Sequence, residues 1–143
     1  MQNTSLGAYG ATLLRATLGG LFLAHAGLKY FVFTPAGTAQ FFESVGIPGG
    51  LAYVVLTAEV VGGLALILGI YTRITALALV PILLGAIISV HASAGFFFSN
   101  ANGGWEFPAV WAVALVVQAL IGDGAFALRP TPLLGNASRL AAA

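Results

Sequence analysis

The sequence predicts an all-α integral membrane protein, an antiparallel four-helix bundle with a short interfacial helix between helices 1 and 2. Three observations carry that prediction. The chain is 59% hydrophobic and only 6% charged, against roughly 25% charged residues in an ordinary soluble domain. Its mean hydropathy is +1.01. Four apolar runs also approach the roughly 20 residues that a helix needs to cross a hydrocarbon core. At 143 residues the chain suits one membrane domain over 1–130, followed by a loose cytoplasmic tail over 131–143.

The first run is Tyr9–Phe31, and Thr34–Gly46 after it is too short to span. Phe41-Phe42 with Glu43 makes that segment a short helix lying at the interface. Pro48-Gly49-Gly50 stops the chain before the second run, Leu51–Tyr71. Arg73 stands in a very tight turn, and the third run is Ile74–Phe96. Asn100 to Gly104 is a loop by composition, since Asn and Gly tolerate positive φ. The fourth run, Phe107–Gly122, is the shortest and begins near Trp105.

Composition excludes several classes of function. A net charge of +1 gives no basic footprint for nucleic acid. With no cysteine, thiolate metal sites, CxxC redox chemistry and disulfides are ruled out. Any electrons must travel through a bound cofactor or a redox partner protein. A cleaved signal peptide is not expected: nothing basic precedes the first run until Arg15, and His25 spoils Ala24-His25-Ala26 as a cleavage site. Basic residues near the helix ends set the orientation. Arg73, Arg129 and Arg139 fall on the side of the N-terminus, so both termini are expected in the cytoplasm, with the chain in the cell (inner) membrane.

Ionisable residues inside apolar runs carry the functional expectation. A charged group at bilayer depth costs about 2.5–3.5 kcal/mol on insertion scales and tends to mark a pathway, relay or ligand site. Counted inward at the helical rise, Lys29 lies roughly 3 Å deep, His91 about 7 Å, His25 about 9 Å and Glu59 about 12 Å, all in the outer half. Arg15, His25 and Lys29 share a wedge about 80° wide on the first helix. Glu59 shares a face with Gly62, Gly63, Leu66 and Gly69, a stripe for close helix approach within one bundle or between two copies of a homo-oligomer. His91 is in phase with Leu84, Ile87 and Gly95, and Trp111 with Leu115 and Gln118. Plainer roles stand beside these. Lys29 can snorkel to headgroups, Arg15 can pair with Asp123, and Glu59 can hold a neighbouring helix. Trp105 and Tyr71 read as interfacial aromatics.

These landmarks resemble a known family. Gly20-Leu21-Phe22-Leu23-Ala24-His25-Ala26-Gly27-Leu28-Lys29 resembles the first-helix signature of the DoxX family of small four-span membrane proteins. Phe41-Phe42 before Gly46-Ile47-Pro48 resembles its first outer loop, and Glu59-Val60-Val61-Gly62-Gly63 with Leu66, Gly69, Thr72-Arg73 and Ala76 its second helix and tight turn. His91, Gly95-Phe96-Phe97 and Gly104-Trp105-Glu106 resemble the end of its third helix and the next loop. The likeness spans Ala11 to Leu128. It departs at Gly122-Asp123-Gly124-Ala125-Phe126-Ala127-Leu128-Arg129, where the family often carries a basic and an aromatic residue before Ser-Leu-Asp. The resemblance implies a component of a membrane redox system, since the family is named after a subunit associated with thiosulfate:quinone oxidoreductase activity.

Three function classes follow. The favoured one binds a quinone-like molecule in the outer half through His25, Lys29, Glu59, His91 and Glu106, as ligand-binding or proton-relay groups. A transporter or channel subunit is the second, although no inverted repeat is evident. A holder of haem on His25 and His91, or of a metal on those two with Glu59, is the third, the histidine pair lying near the surface.

Overall fold

The computed structural model describes residues 6–132. Helix α1, Leu6–Gly27, runs on through a π-helical turn, Leu28–Val32. Helix α2 is Pro35–Ser44, α3 is Gly50–Leu68 and α4 is Thr72–Ala86. The last of these continues through a second π turn, Ile87–His91, and a 3₁₀ turn, Ala92–Ala94. Helix α5 is Glu106–Ile121. The predicted elements are therefore present, with ends shifted by a few residues. Three segments, Leu6–Val32, Gly50–Leu68 and Thr72–Ala94, are long and apolar enough to cross a membrane, while the 16-residue α5 is shorter.

Local chemistry explains the boundaries. Thr34 takes φ 62° and caps α2, its Oγ1 accepting from the Gly37 N–H at 3.1 Å with Pro35 in the first turn. Helix α3 stops at Gly69, whose φ of 70° is the left-handed conformation that glycine adopts freely. The Ile70 N–H then reaches back to the Ala65 carbonyl at 2.8 Å.

Two antiparallel pairs, α1 with α3 and α4 with α5, make the bundle. Glycine brings the first pair together: a Cβ on Gly19 would sit 2.5 Å from the Gly63 carbonyl oxygen. Gly62, one position earlier, faces Leu79 of α4, where a Cβ would lie 2.7 Å from a leucine methyl. The glycine stripe of α3 thus packs inside one chain on both sides. Leu18, Phe22, Leu66, Leu79, Leu83 and Leu115 fill the centre. Outward faces are aliphatic, with Leu13, Val61, Ile88, Val110 and Leu120 each more than 60% exposed. In water such a surface would be an aggregation hazard; against lipid it is the expected solvent contact.

The first and last described residues lie at one end of the bundle, beside the α3–α4 turn. Here Arg15 is almost wholly buried. The sequence suggested a pairing with Asp123, but no such ion pair forms among the described residues. Arg15 Nη1 instead donates to the Leu66 carbonyl at 2.9 Å and to that of Ile67, and Nη2 to the Ala125 carbonyl at 3.0 Å. The physical reason is that carbonyls in the last turn of a helix have no partner within it. A guanidinium placed there satisfies them and complements the negative end of the helix dipole. Arg73 treats α5 in the same way, Nη1 donating to Ala119 and Leu120 carbonyls at 2.8 and 3.0 Å. Asp123 Oδ1 accepts from the Thr72 N–H at 3.1 Å and Thr131 Oγ1 at 2.7 Å. Arg139 and most of the expected tail lie outside the described residues.

Candidate functional site

At the opposite end the two helix pairs separate and enclose a cavity of about 790 Å³, with α2 as part of its wall. His25, Lys29, Glu59 and His91 all line it, and Glu106 does not. Glu106 is half-buried in the first turn of α5, its N–H donating to the Phe96 carbonyl at 3.0 Å. A carboxylate there complements the positive end of the helix.

Lys29 Nζ lies 2.5 Å from Glu59 Oε1. The lysine side chain keeps 21% of its surface exposed and the glutamate 4%. Glu59 has a second oxygen, Oε2, buried with no protein partner. Each lone pair left unpaired in a low-dielectric site is a substantial penalty, so this atom is primed for a donor.

Both histidines are held alike. His25 Nδ1 is 3.0 Å from the Leu21 carbonyl and His91 Nδ1 2.7 Å from that of Gly103. A carbonyl only accepts, so each neutral ring carries its proton on Nδ1 and leaves Nε2 as an acceptor. Trp111, 5% exposed, also lines the cavity. Its ring lies 4.8 Å from that of His25 and 4.6 Å from that of Phe22, centroid to centroid. Its indole N–H has no protein partner. The cavity wall thus combines an ion pair, two histidines and Trp111 with mainly apolar residues, while Glu59 Oε2 and the Trp111 N–H are buried without a protein partner.

Two of these groups stand on π turns. Lys29 belongs to the turn that closes with the Phe33 N–H on the Leu28 carbonyl at 2.9 Å. The wider turn leaves the Lys29 carbonyl to accept, at 3.3 Å, from Thr38 Oγ1 of α2. His91 ends the second π turn. On an unbroken α-helix it would share the direction of Leu84, which is 47% exposed and outside the cavity wall. The extra residue in the turn rotates His91 onto the cavity instead, which corrects the helical phase expected from the sequence. Trp111 was not among the expected site residues. The available signal was its place in the middle of an apolar run, away from the interfacial belt where membrane tryptophans concentrate.

An all-helical bundle with aliphatic outer faces and a partly polar cavity at one end defines a small integral membrane protein. The sequence model of the DoxX family matches residues 10–92, and the chain belongs to the DoxX family. The matched stretch contains His25, Lys29, Glu59 and His91. The chain is 37% identical over 127 residues to a Bacillus subtilis (strain 168) protein named "Putative oxidoreductase CatD", a match covering 89% of this chain and 90% of the relative. It is 48% identical over 42 residues to "Inner membrane protein YqjF" of Escherichia coli (strain K12), covering 29% of this chain and 32% of that relative. No solved structure gives a significant match.

Proposed function

We propose that this DoxX-family protein is a component of a membrane redox system and binds a quinone-like molecule in the cavity beside the Lys29–Glu59 pair. The observation that carries the proposal is the Lys29–Glu59 ion pair with His25 and His91 on the wall of one mainly apolar cavity. Ligand sites of about 300–1,000 Å³ with a few convergent polar groups are the usual chambers for small organic molecules. A bound quinone would supply the electron- and proton-accepting centre. Lys29 and Trp111 would donate to its oxygens, and His25 and His91 would hold protons near them. The name of the Bacillus subtilis relative supports the redox setting. Since the chain has no cysteine, electrons would come from a partner protein.

The name of the Escherichia coli relative supports a cell (inner) membrane location. Arg73 and Arg129 lie at the bundle end that holds both described chain ends, which supports cytoplasmic termini under the positive-inside rule. Reporter fusions after Ala143 and within the Asn100–Gly104 loop are expected to report opposite compartments. Two reporters on one side would remove this topology.

An optical spectrum with mass analysis of lipids extracted from the purified protein tests the ligand. A quinone retained by the wild type and depleted in Glu59→Gln, His25→Ala and His91→Ala is the expected result. Folded variants that keep a full complement of ligand and redox activity would make the polar group structural, and a haem absorption band would replace the quinone reading.

A further inference from the structure

We propose that the ligand carries a long apolar chain and enters sideways from the bilayer, through a cleft between α3 and α4 whose width is set by Gly85. This rests on the reading above, that the polar end of the cavity holds a redox-active ring. Helices α3 and α4 touch at Gly62 and Leu79. Further along they face each other across the cavity. Val55 and Glu59, four residues apart, form a stripe on α3, while Pro81, Gly85 and Ser89 form one on α4. Six lining residues are exposed, Phe33, Phe41, Leu51, Pro81, Phe98 and Phe107, and of these Pro81 alone stands in the middle of a spanning helix. Pro81 stands nine residues into α4, about 14 Å along it at the helical rise, which is hydrocarbon depth rather than headgroup depth.

The polar atoms are not spread evenly around the chamber. Lys29, Glu59, His25 and Trp111 belong to α1, α3 and α5, whereas the α4 wall is Pro81, Ile82, Gly85 and Ala86 before Ser89 and His91. Ser89 Oγ is already engaged by the Gly85 carbonyl at 2.6 Å. A ring held by the ion pair would therefore meet an apolar slot on the α4 side, suited to a hydrocarbon chain leading into lipid. Gly85 keeps the slot open: a Cβ built there meets no atom within 4 Å. Gly85 lines the cavity and has space for a Cβ, so a larger side chain there would narrow the slot while replacing a poor helix former.

The test uses the full-length protein in nanodiscs and two probes, a ubiquinone with a long isoprenoid chain and the same ring without the chain. Binding is read as quenching of Trp111 fluorescence in a Trp105→Phe background. Gly85→Leu is expected to weaken the long-chain probe roughly tenfold or more, a loss of about 1.4 kcal/mol, and to leave the tail-free ring unchanged. Gly20→Leu, at an exposed glycine of α1 that also has free space around its Cβ, should alter neither. Equal weakening of both probes by Gly85→Leu, or weakening of neither, would overturn the lateral entrance. Glu59→Gln separates this outcome from failure of the ring site. If long-chain binding responds to Gly85→Leu but not to Glu59→Gln, the entrance stands and the ring site is wrong. If only Glu59→Gln matters, the ring site stands and the entrance is wrong.

Discussion

The two ends of this bundle use buried polar side chains for different ends. At the Arg15 end, Arg15 and Arg73 are spent on carbonyls in the last turns of α3 and α5, and Asp123 on a backbone N–H and a hydroxyl. At the Glu59 end, the ion pair and both histidines face a cavity. Unpaired buried atoms do not distinguish them. Arg15 Nε, Thr72 Oγ1 and Gln118 Oε1 are as orphaned as Glu59 Oε2 and Trp111 Nε1. What differs is where the residues stand: Arg15, Thr72 and Gln118 border no part of the cavity, and Glu59 and Trp111 line it.

If that contrast is right, mutations at the two ends separate stability from binding. Arg15→Met should have the largest effect on folding, about 3–5 kcal/mol, the range for removing one member of a buried charged network. Equilibrium denaturation in detergent would measure it, and a loss below about 1 kcal/mol, the level of a single ordinary hydrogen bond, would deny Arg15 its role as a clamp. Gly19→Leu follows at about 1–3 kcal/mol, the usual penalty for overpacking, because its side chain would meet the Gly63 carbonyl. An unchanged melting temperature would show that α1 and α3 are not in contact there.

The ion pair should behave asymmetrically. Lys29→Met strands a carboxylate with 4% exposure and is expected to lose about 1–3 kcal/mol, the range for an unsatisfied buried group. Glu59→Gln frees a lysine that can reach the headgroups, so it should lose less stability while losing more ligand. The double variant should be more stable than Lys29→Met alone, and a double-mutant cycle without coupling would break the pair. Thr38→Val should have the smallest effect, about 1 kcal/mol for its hydrogen bonds, since it ties α2 to the Thr34 and Lys29 carbonyls. A faster exchange of amide protons in α2 would register it.

Much of this architecture was legible in the sequence because lipid imposes few solutions. Long apolar runs must become helices to satisfy their own backbone, and Pro48-Gly49-Gly50 and Gly69 mark where they stop. Placing His25, Lys29 and Glu59 in the same outer half needed only the helical rise. The π turns at Leu28–Val32 and Ile87–His91 were not legible, because an inserted residue leaves no periodic trace in so uniformly apolar a segment. They are what turns His91 to the cavity and frees the Lys29 carbonyl for α2. Arg15 was legible as a buried cation, but its carbonyl partners depend on where α3 ends in space, which no spacing in the sequence encodes. Glu106 follows the loop after His91 in the sequence, yet its own helix start claims it.

The α3–α4 turn has a consequence for the order in which the protein is made. Tyr71 holds φ 46° there, a conformation that non-glycine residues adopt under strain of roughly 1–3 kcal/mol. Its support comes from far along the chain. The Leu128 and Arg129 N–H groups donate to the Leu68 and Gly69 carbonyls at 3.0 and 3.1 Å, and the Tyr71 N–H to the Arg129 carbonyl at 2.8 Å. The Arg129 guanidinium also covers the Tyr71 ring, 5.1 Å from its centroid. During synthesis at about 5–20 residues per second, the turn therefore waits several seconds for the residues that complete it. Chains ended after Gly122 are expected to expose the turn to protease while keeping their helix content, and equal protection of short and full chains would refute this. The α3–α4 turn can therefore gain these hydrogen bonds only after α5 has been made, so the last part of the chain to be synthesised completes one of the earlier connections.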